Sequence, residues 1–77
     1  MGYGIIYFED GHTEEILGYV KSDKSGIYEI NTCSGIYYMH VYVHTMPSGS
    51  HCIRRKYFKE TIDGSFIYAP IDRVVLI

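Results

Sequence analysis

Two short stretches hold the residue types that could do chemistry. The first is IYYMHVYVHT, residues 36–45, where Tyr38, His40, Tyr42 and His44 recur at every second position. Side chains alternate faces along a strand, so these four share one surface. The opposite surface takes Tyr37, Met39, Val41 and Val43 and reads as core. Tyr rings can stack on a base or sugar, and His can supply directional hydrogen bonds. A half-solvated sheet face or an oligomer interface uses the same residue types.

The second stretch is HCIRRKYFK, residues 51–59, with Arg54, Arg55, Lys56 and Lys59 among the seven basic residues of the chain. Cations interleaved with Tyr57 and Phe58 suit the phosphates and rings of a nucleotide or a single-stranded nucleic acid. An edge strand protected by charge would look the same. The candidate ligand-binding set is therefore Arg54, Arg55, Lys56, Tyr57, Tyr38, His40 and Tyr42, on condition that the two stretches are neighbours.

Metal and catalytic chemistry are less well served. His40 and His44 have H-x3-H spacing, but on a strand they lie roughly 13 Å apart and cannot share an ion. His51 and Cys52 are adjacent and face opposite ways. Cys52 has no evident base on its own face. No nucleophile elbow, phosphate loop or zinc-protease motif is present. Asp10-Gly11 and Asp63-Gly64 read as turns. A non-enzymatic protein without metal or cofactor is expected.

The elements that must position these residues are short. Turn signals recur at Asp10-Gly11, Ser25-Gly26, Ser34-Gly35, Pro47-Ser48-Gly49, Asp63-Gly64 and Pro70. Between them lie runs of Ile, Val, Tyr and Phe. This pattern predicts strands at about 3–9, 13–20, 27–33, 36–45, 51–59, 65–69 and 72–77. Thr13 could instead cap a helix over 13–20, but Gly18 and the β-branched residues favour a strand bent at Gly18. The fold class is all-β: a small antiparallel meander, sandwich or barrel of about five to seven short strands.

The tetrapeptide SGIY occurs at 25–28 and again at 34–37. It reads as turn chemistry used twice, with Gly releasing the turn and Ile-Tyr starting a strand. A two-residue Ser34-Gly35 loop would set Cys33 opposite Ile36, Asn31 opposite Tyr38, Glu29 opposite His40 and Ile27 opposite Tyr42. A slip of one residue would put Glu29 and Asn31 on the core face, at a large polar cost. Tyr28 and Tyr37 then belong to the core.

Length and composition set outer limits. The 77 residues form one domain, 47% hydrophobic and 21% charged, with nine Tyr, three Phe and no Trp. A domain of this size buries only roughly 60% of its unfolded surface and often leans on oligomerisation. Net charge is −2, and with only four clustered basic residues this argues against broad duplex nucleic-acid binding. No window reaches membrane-spanning length, and the N-terminus lacks the features of a signal peptide. Position 6 is Ile, so Met1-Gly2 does not open a myristoylation motif. Cys33 and Cys52 are too few for a disulfide framework and read as free, partly buried thiols in a cytoplasmic protein.

Two resemblances add to this. The ending FIYAPIDRVVLI, a strand, a break at Pro70 and a closing strand, resembles SH3-like and Sm-like small barrels. The opening IIYFEDGHTEEI with the SGIY hairpin resembles short phage- or prophage-encoded accessory proteins. That resemblance implies a non-catalytic binding protein, including anti-defence factors that sequester a nucleotide signal or block a host defence protein. The expectation is a homo-oligomer that binds an anionic nucleotide-like ligand. The alternatives are a protein-interaction inhibitor using the Tyr-rich face and a single-stranded nucleic-acid-binding small barrel.

Overall fold

The computed structural model describes residues 2–21 and 26–77. Their elements are eight strands: β1 (Gly4–Phe8), β2 (Thr13–Ile16), β3 (Gly18–Lys21), β4 (Ile27–Thr32), β5 (Gly35–Thr45), β6 (His51–Glu60), β7 (Phe66–Tyr68) and β8 (Ile71–Leu76). They form two antiparallel sheets, ordered β2-β1-β8 and β3-β4-β5-β6-β7. The described residues contain no helix, and the all-β class read from the turn spacing holds.

The segment 13–20 is extended, but it serves both sheets. Ile16 accepts a hydrogen bond from the Tyr3 amide, while the Leu17 amide donates to Asn31 of β4 at 2.8 Å. The chain therefore changes sheet at Leu17, beside the expected bend at Gly18, and seven expected strands become eight. Gly4 allows β8 to close on β1: a Cβ there would lie 2.1 Å from the Val75 carbonyl oxygen.

The core lies between the sheets. Alternation along β1 turns Ile6 and Phe8 inward, where they meet Ile16, Ile71 and Ala69, and Ile30, Tyr37 and Met39 of the second sheet. The Phe8 and Tyr37 rings meet edge to face at 5.6 Å. Pro70 ends β7 as expected. The Ile71 amide reaches back to the Ala69 carbonyl across Pro70, and the Glu9 amide takes the Pro70 carbonyl. A γ-turn centred on proline suits the fixed φ of the ring.

The β4–β5 hairpin corrects one expectation. Its loop is Cys33-Ser34, with Thr32 opposite Gly35, Asn31 opposite Ile36, Glu29 opposite Tyr38 and Ile27 opposite His40. The register differs by two residues from the predicted one, so every side chain keeps its predicted face. The Thr32 hydroxyl accounts for the shift: it accepts from the Ser34 amide at 3.3 Å and donates to the Gly35 carbonyl at 3.0 Å. Gly35 does use a positive φ, +133°, but as the first residue of β5. Of the first SGIY, Ser25 lies outside the described residues.

Two further expectations change. Val43 is not core: it is 65% exposed, because β5 and β6 run on together past the edge of the first sheet as a projecting hairpin. Cys33 is exposed at a turn tip and Cys52 is half-buried, both as free thiols. Ile30 and Val43 thus separate the packed and projecting parts of the sheet. Ile30→Ala is expected to cost about 2–5 kcal/mol in chemical denaturation. Val43→Ala should change stability by no more than about 0.5 kcal/mol, and a comparable loss at both positions would contradict this division.

Candidate functional site

The β5–β6 pairing settles whether the two chemical stretches meet. They are hydrogen-bonded neighbours over their whole length, with Tyr38 opposite Phe58, His40 opposite Lys56, Tyr42 opposite Arg54 and His44 opposite Cys52. Opposed residues in a sheet share a face. Tyr38, His40 and Tyr42 therefore stand beside Arg54 and Lys56 on the outer face of the five-stranded sheet. Arg55 and Tyr57 do not join them. Arg55 pairs with Val41 and Tyr57 with Met39, so both lie on the inner face. Tyr57 packs against the core. Burial pushes its hydroxyl pKa up, with Asp72 adding to the rise and Arg55 opposing it.

Around Tyr38 the outer face holds an apolar cleft of about 270 Å³ lined by Ile27, Tyr38, His40, Phe58 and Phe66. The Tyr38 and Phe66 rings meet edge to face, 5.1 Å apart at 83°. Ile27 comes from β4 and Phe66 from β7, so the cleft is assembled from four strands. Sequence reasoning missed Phe58, Phe66 and Ile27 as partners of Tyr38. The signal that could have found Phe58 was the Pro47-Ser48-Gly49 turn. It closes with the Met46 amide on the Ser50 carbonyl at 2.8 Å, and this closure sets the register of the whole hairpin.

The two ends of the cleft differ in charge. At one end the Tyr38 hydroxyl lies 3.3 Å from Glu29 Oε1 and 3.2 Å from Glu60 Oε2. Burial raises its pKa, and the charges and hydrogen bonds of Glu60 and then Glu29 raise it further. At the other end Lys56 Nζ sits 5.2 Å from the centre of the Tyr42 ring. His40 leans on the same ring at 5.5 Å. Lys56 and Glu60 are four residues apart on β6, which places the basic and acidic ends roughly 13 Å from one another. Such a face can hold a flat apolar group in its middle, an anion at Lys56 and Arg54, and hydrogen-bond donors at Glu29 and Glu60.

His44 lies opposite Cys52 on this face, so the cysteine does have a base on its side. Its sulfur, however, contacts Met46 Sδ at 3.9 Å. Among the described residues no group of three or more His, Cys, Asp or Glu side chains could hold a metal ion. No helix among them is long and apolar enough to cross a membrane. Comparison with family models, curated proteins and solved structures finds no match for the chain.

The paired carboxylates give the site a titration signature. The folded state raises the Tyr38 pKa above its ordinary value near 10, so it favours the neutral phenol. Stability from this group is present below that value and is lost as pH rises through the folded-state pKa. In an alkaline absorbance titration, Glu60→Gln should move one late tyrosinate transition to lower pH. An unchanged curve would show that Glu60 does not act on Tyr38.

Proposed function

We propose that the protein is a non-catalytic binding protein that takes an anionic, nucleotide-like ligand on the outer face of its five-stranded sheet. The observation that carries this reading is the pairing of Tyr38, His40 and Tyr42 with Phe58, Lys56 and Arg54. It puts ring-stacking surface and fixed cations side by side. A base would enter the cleft between Tyr38, Phe58 and Phe66, and its phosphates would meet Lys56 and Arg54. Arg55 and Tyr57, on the inner face, have no part in it.

The resemblance of the opening segment to phage accessory proteins supports a biological setting. The protein would act in the host cytoplasm as an anti-defence factor that sequesters a nucleotide signal. The cleft is open to solvent, and a second copy closing over it would give a homo-oligomer a deeper site than one chain can build. A second reading uses the same face against a host defence protein. Its support is the exposure of Phe66 in the cleft wall and of Val20 and Tyr68, which pair with Glu29 and Phe58 on the same face, an apolar area of the kind that anchors protein interfaces. A single-stranded nucleic acid could use the same aromatic row and would show steep salt dependence.

Isothermal calorimetry against nucleoside phosphates and cyclic dinucleotides tests the proposal. Arg54→Ala and Lys56→Ala should each weaken binding about tenfold or more, the scale of one charge-assisted hydrogen bond. Arg55→Ala should leave it unchanged. Absence of binding across the panel, or loss on Arg55→Ala alone, rejects this use of the face.

A further inference from the structure

The edge of β6 offers a different kind of site. β6 has ten residues, but β7 covers only Phe58, Lys59 and Glu60 before the chain turns away at Pro70. The last bond on this side joins the Ala69 amide to the Tyr57 carbonyl. His51–Lys56 therefore form a strand edge with no neighbour among the described residues, about 20 Å long.

Hydrogen-bond alternation shows which groups that edge presents. The bonds of Thr61 to Ser65 and of Ala69 to Tyr57 place the main-chain groups of odd-numbered residues on the β7 side. The Met46–Ser50 closure turns those of even-numbered residues toward β5. Ile53 and Arg55 thus present both N–H and C=O outward. The side chains alternate around them: Arg54 and Lys56 on the outer face, Arg55 on the inner one. Where β7 stops, a recess of about 460 Å³ lined by Arg55, Tyr57, Tyr68 and Ile71, among others, continues the line of the missing strand.

From this geometry we infer that the His51–Lys56 edge receives an acidic, extended segment of a partner protein by strand addition. Main-chain hydrogen bonds from Ile53 and Arg55 supply the pairing. Carboxylates on both faces of the incoming strand meet Arg54 and Lys56 on one side and Arg55 on the other. An apolar side chain at its end enters the recess beside Tyr57 and Ile71. A second copy of this chain fits less well. Two-fold pairing of β6 with itself centred on Arg54 or Arg55 sets cation against cation, and centred on Ile53 it sets Arg54 opposite Cys52, Arg55 opposite His51 and Lys56 opposite Ser50, so no register of the free edge brings a carboxylate to the run. The run Arg54-Arg55-Lys56 thereby favours a partner of opposite charge.

The test is fluorescence anisotropy with a labelled peptide of the pattern Glu-Glu-Thr-Glu-Glu-Val, which as a strand carries Glu on both faces and an apolar residue at its end. Ile53→Pro removes an outward N–H while leaving the β5 ladder intact, because proline is tolerated where the amide faces away from the neighbouring strand. The wild-type protein should bind the peptide at low salt. Ile53→Pro and Arg55→Glu should each weaken binding about tenfold or more. Methylating alternate main-chain nitrogens of the peptide should abolish binding, a control that leaves the protein untouched. Absence of binding, or binding indifferent to both Ile53→Pro and the methylated backbone, overturns the inference. So does sedimentation showing a dimer of the free protein that Ile53→Pro dissolves, since a second copy would then hold the edge.

Discussion

Pairing between β5 and β6 is the constraint from which the rest of the functional surface follows. The short turn at Met46–Ser50 closes with two main-chain bonds, Met46 amide to Ser50 carbonyl and Gly49 amide to Met46 carbonyl, and fixes the register of both strands back to Tyr37 and Lys59. Each later property is a consequence of that register. It decides that Arg54 and Lys56 share a face with the Tyr/His row. It sends Arg55 and Tyr57 to the other side. It also decides which amides of β6 face β5 and which are left for a partner. A slip of one residue would exchange all of these roles at once.

The outer face of the second sheet is polar at both ends and apolar between. Glu29 and Glu60 gather around the Tyr38 hydroxyl, and Lys56 lies over Tyr42. The strand rise separates these ends by roughly 13 Å. The inner face has the opposite organisation. Near the first sheet it is packed core, with Ile30, Tyr37 and Met39 against Ile6 and Phe8. Farther along, where the first sheet no longer covers it, the same face carries the exposed pair Val43 and Ile53. One strand pair thus serves as core at one end and as a projecting arm at the other.

Much of this was legible in residue order. Alternation along 36–45 separated Tyr37 and Met39 from Tyr38, His40 and Tyr42, and the structure keeps that division. The polar cost of burying Glu29 and Asn31 excluded a slip of one residue in the β4–β5 hairpin. It could not exclude a shift of two, which leaves every face unchanged. Thr32 made that choice by hydrogen-bonding across the turn, an interaction with no hydrophobic signature. Val43 was misassigned because alternation tells which face a residue points to and not whether another sheet covers it.

Residue order alone sets the all-β class, the break at Pro70 and the two-faced character of β5, since each depends on local backbone preference or period-two patterning. Tertiary structure alone decided the division of 13–20 between two sheets, the cleft built from four strands and the bare edge of β6. These depend on which strands become neighbours, and that is set by long-range main-chain pairing. Arg54, Arg55 and Lys56 show the difference most simply. Residue order marks them as one basic run; only the pairing with β5 separates two cations for the face from one on the other side.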